Sequence, residues 1–176
     1  MFNSFNMPNS LRLKRLRELA YIMDNHCRLF KNVKFNIGTW CSIVGGGDYE
    51  KDFFKKNGHT CGTAACALGS AGLWSKFRKA GLRTNKMDNN IELFDRKGNV
   101  EDEGFAAGGR FFGLNHDEAH YLFNPNQYTS GKRQQNPVTK KFRHDPLHVV
   151  RPASVAARVR NLIRQYESQA EVKKAA

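Results

Sequence analysis

Long apolar runs are missing from this chain of 176 residues. None approaches the roughly 20 residues that a membrane-spanning helix needs, so no membrane partner is expected. The opening Met1-Phe2-Asn3-Ser4-Phe5-Asn6 lacks the basic-then-apolar pattern of a secretory leader. Cysteine is scarce: Cys27, Cys41, Cys61 and Cys66 are too few to staple a scaffold. Without a leader the expected compartment is the cytoplasm, where thiols stay reduced. Acidic residues are also short, with 16 Asp and Glu against 29 Lys and Arg, a formal charge of +13. Internal repeats are absent. Gly45-Gly46-Gly47-Asp48 is followed by no Gly-Lys-Ser/Thr, which excludes a phosphate loop. Paired Cys/His fingers, the aromatic RNP motif and a GxxG clamp are missing too, which excludes the common nucleic-acid readers.

What is present is enough for a core. The length suits one domain with arms, and 13 Phe, 5 Tyr and 2 Trp supply bulky apolar material. Leu13, Leu16, Leu19, Ala20 and Met23 recur at helical steps over residues 9–24, after the start signals Pro8 and Asn9-Ser10. Val33, Phe35 and Ile37 alternate with polar residues and predict a short extended piece. Residues 60–80 read as helical, broken near Gly69 or Gly72 and ended by Gly81, with small residues that let another backbone come close. A hairpin is expected over Ile91 to Val100, around Arg96-Lys97-Gly98-Asn99. Glu101, Asp102 and Glu103 are read as opening a helix to about Phe112, stopped by Gly113. Asn115 with Glu118 forms a capping box for a helix to about Phe123. Pro152 opens the last helix, whose apolar side is Val155, Val159, Leu162, Ile163 and Tyr166.

The expected fold is therefore mainly α with a small β-hairpin (α+β), a single compact helical domain. It divides into an N-terminal extension 1–8, a helical core 9–125, a basic arm 126–150, a C-terminal core helix 151–167 and a flexible tail 168–176.

The charge is uneven. Residues 1–34 hold seven basic and two acidic side chains, residues 101–125 one and five, and residues 126–176 eleven and three. Two basic ends thus flank an acidic middle, a distribution suited to a phosphate backbone. The candidate nucleic-acid-binding residues are Arg12, Arg15, Lys132, Arg133, Lys140, Lys141, Arg143 and Arg158. The competing explanations are a solvated basic surface and, for the first helix with Arg12, Lys14 and Arg15, a membrane-surface face. That helix lacks Trp or Phe on its stripe and matches an ordinary core helix.

Cysteine chemistry is the other class. In His59-Thr60-Cys61-Gly62-Thr63-Ala64-Ala65-Cys66, Thr60 caps the expected helix and puts Cys61 in its first turn. There the helix dipole and His59 favour a thiolate nucleophile. The Cys-Gly helix start resembles papain-like cysteine proteases, which implies a catalytic Cys61 with a downstream His148 or His144 and Asn161 as orienting amide. The papain pattern places its next Cys and Trp sooner after the Gly. A zinc site would draw on His59, Cys61, Cys66 and Cys41, but the spacing matches no known finger, so no metal or other cofactor is expected. His116-Asp117-Glu118-Ala119-His120 is not the zinc-protease order, and Glu118 is better explained as the capping partner of Asn115.

Several strings in order carry a wider resemblance: Thr39-Trp40-Cys41, then Cys61 to Gly69, then Phe112-Gly113-Leu114-Asn115 with Ala119 and Leu122-Phe123, then Pro152 to Val159. Over residues 9–166 the chain resembles a family of small uncharacterised proteins encoded by bacteriophages and their hosts. The resemblance implies a viral protein in a phage setting, a mainly helical domain and no particular reaction. Arg151 stands where the family has a Thr or Ser cap, and the basic segment 126–150 is longer than usual. The expectation is a non-enzymatic phage accessory protein in the host cytoplasm, binding nucleic acid or a nucleic-acid-bearing host assembly. The alternatives are a cysteine hydrolase using Cys61, and a host-protein-binding inhibitor or virion component.

Overall fold

A computed structural model describes residues 7–31, 33–35, 41–42, 63–85, 90–128 and 150–175. Its architecture is the mainly helical α+β one expected, with the hairpin extended into a sheet. Helix α1 spans Asn9–Asp24. No side chain caps it; instead the Pro8 carbonyl receives the amides of Leu11 and Arg12 at 3.0 and 3.1 Å. Leu16, Leu19, Ala20, Ile22 and Met23 are buried, and Leu13 packs half-buried against them. The stripe runs on into the one-turn helix α2, His26–Leu29, where His26 is buried.

Three short strands follow: β1 Val33–Phe35, β2 Cys41–Ser42 and β3 Thr63–Ala65. β3 lies between the others, parallel to β1 and antiparallel to β2. This corrects the helix expected from residue 60. The backbone groups of 63–65 are engaged by two neighbouring strands, and sheet pairing overrides the helical preference of an Ala-rich string. Helix α3, Ala67–Leu73, starts only after Cys66, whose backbone is extended and whose Sγ accepts from the Gly69 amide at 3.3 Å. Cys61 therefore does not stand in the first turn of this helix.

The expected break falls at neither glycine. Trp74 is extended between α3 and α4, Ser75–Lys79, and its indole Nε1 donates to Glu18 of α1 at 2.8 Å. Gly72 serves close approach instead. A Cβ there would lie 3.0 Å from the Thr84 methyl and 3.2 Å from the Thr84 backbone nitrogen.

The second sheet is antiparallel in the order β4-β5-β6, from Leu82–Asn85, Asn90–Phe94 and Val100–Glu103. The expected hairpin is β5–β6; β4 is an addition that the sequence did not announce. Asp95 ties the hairpin turn, accepting from the amides of Lys97 and Asn99 at 2.8 Å each. Gly81 joins α4 to β4 with φ 102°, and a Cβ there would stand 2.6 Å from the Phe94 carbonyl oxygen.

Helix α5, Gly104–Phe112, begins after the acidic triplet, so Glu101, Asp102 and Glu103 belong to β6 and not to the helix. Gly113 ends it in the left-handed region at φ 68°. Helix α6, His116–Phe123, has the expected capping box: Asn115 Oδ1 accepts from the Glu118 amide at 2.9 Å, and Glu118 Oε2 accepts from the Asn115 amide at 2.8 Å. A 3-10 turn covers Pro125–Gln127, and α7 spans Pro152–Ala175, running through the segment expected to fray.

Helices α1 and α7 form the largest helix–helix contact among the described residues. Arg17 meets Glu167 at 2.6 Å, and Arg160 meets Asp24 at the other end. The centre of the core is aromatic. Phe77 stands edge-on to both Phe111 and Phe112, with ring centroids 5.1 and 5.5 Å apart. Such edge-to-face pairs add to their area burial.

Candidate functional site

Two groups of basic side chains differ sharply in their surroundings. The first contains the helix arginines singled out from sequence. Arg15 of α1 turns inward, donates to the Phe111 carbonyl and lies over the Phe111 ring at 4.0 Å. Burial holds its guanidinium below the usual pKa. Arg12 stacks over the Tyr166 ring at 4.4 Å, against Gly113. Arg158 of α7 donates to the carbonyls of Tyr121, at 2.7 Å, and Gln127, and its guanidinium lies 3.7 Å from the Tyr128 ring centre. These arginines clamp α5, α6 and the 3-10 turn to the helix pair. Fork-shaped donors that also stack on rings suit this task.

Around them the phenols are held protonated. Tyr166 donates to Glu118 Oε2 at 2.6 Å, and burial, with that carboxylate, raises its pKa. Tyr128 donates to the Leu122 carbonyl at 2.7 Å, and burial raises its pKa as well.

The second group faces outward on α4, β4 and the hairpin. Lys79, Arg83, Arg96 and Lys97 are exposed. Arg78 is pushed below its ordinary pKa, first by burial and then by the positive charge of Arg83. Arg83 also lies over the Phe94 ring at 4.9 Å. The described acids Glu92 and Asp95 beside them are committed elsewhere. Glu92, opposite Arg83 in the ladder, is buried and accepts from Asn85 Nδ2 at 2.7 Å. The Asp95 carboxylate holds the hairpin turn, and hydrogen bonds from Asn99 keep its pKa low. A groove of about 580 Å³ between the hairpin and the start of α1 is lined by Arg15, Arg96 and Arg110 together with Asp95 and Glu101.

Sequence reasoning did not name Arg83 or Arg96 as binding residues, because it weighted the ends of the chain. The available signal was the basic pair Arg96-Lys97, read only as a hairpin turn, and Arg83 after the run Lys76-Phe77-Arg78-Lys79. Lys132, Arg133, Lys140, Lys141 and Arg143 lie outside the described residues.

So do Cys61, His59, His144 and His148. Among the described cysteines, Cys66 is a buried helix cap and Cys27 is exposed. Asn161, the candidate orienting amide, accepts from Arg164 on the same helix. No group of three or more His, Cys, Asp or Glu suited to a metal occurs among the described residues. None of their helices is long and apolar enough to cross a membrane.

A buried polar pair also escaped the sequence. His26 Nε2 stands 3.0 Å from Ser70 Oγ, with the imidazole tilted against Phe30 and edge-on to Phe35. Its signal was positional: His26 continues the α1 stripe three residues after Met23. The distance would allow a base to activate a hydroxyl. With exposures of 2% and 0%, the pair links α2 to α3 and meets no substrate.

No protein-family model, curated protein or solved structure matches the chain.

Proposed function

We propose that the protein is a non-enzymatic accessory factor that binds an anionic partner, most directly nucleic acid or an assembly that carries it. The observation that carries this is the outward basic surface: Lys79, Arg83, Arg96 and Lys97 are all exposed, while the described acids Glu92 and Asp95 beside them hold Asn85 and the hairpin turn. Exposed like charges attract an anionic backbone, and each phosphate they neutralise releases counterions. The five basic residues of 126–150 add charge of the same sign. The motif resemblance to phage-encoded proteins supports a phage setting in the host cytoplasm for this role.

Fluorescence anisotropy with short DNA and RNA, repeated across salt concentrations, tests it. Binding is expected at low salt, weakening on a log–log plot with a slope of about −0.9 per phosphate contact on duplex DNA and about −0.7 on single strands. No binding at low salt, or binding without a salt slope, would overturn it.

A further inference from the structure

We propose that His116 and His120 form a two-point site for a divalent transition-metal ion that favours imidazole, such as nickel or copper. The residues stand four apart on α6, and their rings lie 4.2 Å apart, tilted by 42°. With metal–nitrogen bonds of about 2.0–2.1 Å, two imidazoles on adjacent positions of one ion have ring centres roughly 4–5 Å apart. The observed ring separation falls within that range.

The second ring is already held. Phe105 packs against the His120 imidazole at 4.6 Å. His120 Nδ1 lies 3.1 Å from the Asn124 side-chain amide. Turned so that its oxygen accepts the Nδ1 proton, that amide leaves the Nε2 lone pair for the ion, the outer-shell support typical of ligating histidines. The helix beneath is fixed by its capping box, so little backbone ordering is needed on binding.

Local charge is compatible. Asp117 and Glu118 follow His116 directly, offsetting the positive end of the helix. Arg110, on the wall of the adjoining cavity of about 170 Å³, is paired with Asp102 at 3.0 Å and Glu101 at 3.5 Å. Imidazole ligands select nickel, copper and zinc over magnesium and calcium, and the affinity order peaks at copper. Nickel is the better probe, because copper(II) reacts with the chain's thiols.

The test is a nickel titration of the full chain followed by ring resonances of its six histidines. His116 and His120 are expected to broaden together, at lower nickel than the other four. His116→Gln keeps an exposed polar residue and should raise the nickel needed to broaden His120 by at least about tenfold, and Asn124→Ala by about tenfold. The thermal midpoint should rise with nickel in the parent chain and not in His116→Gln. The proposal is overturned if His120 broadens equally well in His116→Gln, if all six histidines broaden alike, if none does, or if a thiolate-to-nickel absorption band accounts for the binding.

Discussion

The arginines of the helix pair and those of the sheet edge carry the same group to opposite ends. Arg15 and Arg158, on α1 and α7, give their donors to backbone carbonyls of the protein's own α5, α6 and 3-10 turn and lay their planes on its own rings. Arg83 and Arg96, on β4 and the β5–β6 hairpin, are exposed. The difference shows that counting cations by chain segment cannot tell structural charge from available charge. A guanidinium becomes structural where the fold offers an uncapped carbonyl and a ring in one direction, as at the end of α5 and after α6. It stays available where neighbouring acids are already held by turn amides, as at Asp95.

The largest expected effect falls on the inward group. Arg158→Ala leaves two carbonyls and two ring faces without their cation, and should destabilise the fold by about 3 kcal/mol, from charged hydrogen bonds and stacking together. Denaturant melts measure this; a change under about 0.5 kcal/mol would erase the distinction between the groups.

Next comes alkaline pH, which strikes the phenols beside those arginines. An unfolded phenol ionises near pH 10. Tyr128 and Tyr166 hold their protons to higher pH when folded, chiefly through burial. Above pH 10 the folded state therefore binds more protons than the unfolded one, and stability falls as pH rises. Phenolate absorbance should show these two tyrosines ionising only as the fold melts. Full ionisation near pH 10 with helical ellipticity intact would contradict the burial.

Smaller again is Asn115→Ala, which removes the α6 cap and should cost about 1 kcal/mol. Because Glu118 also accepts from Tyr166, the loss should couple to Tyr166→Phe in a double-mutant cycle. Strict additivity would sever the helix cap from the helix-pair interface. Smallest is Arg83→Ala, whose stability effect should stay within about 0.5 kcal/mol, as for an ordinary surface change.

Much of the fold was legible because it rests on local signals. The capping box at Asn115 and Glu118, the left-handed stop at Gly113 and the start at Pro152 each act within one turn of chain. What was not legible depends on distant partners. Thr63–Ala65 becomes strand only because Val33–Phe35 and Cys41–Ser42 flank it. The helix breaks at Trp74, whose indole is held by Glu18 from 56 residues away. β4 is four residues long with a weak alternation, and is fixed by its register with β5. The candidate site followed the same rule. Residue type marked Arg12, Arg15 and Arg158 as cations, but whether a cation points in or out is decided by the carbonyls and rings that packing brings to it.

The most direct measurement is the salt dependence of nucleic-acid binding by the double variant Arg83→Ala/Arg96→Ala, beside the parent chain, with both melts recorded. The account predicts a melt unchanged within about 0.5 kcal/mol and weaker binding at every salt concentration. On duplex DNA the salt slope should be shallower by nearly 2, about 0.9 for each lost contact. An unchanged slope with an unchanged melt would contradict it, since the outward arginines would then serve neither the fold nor the partner.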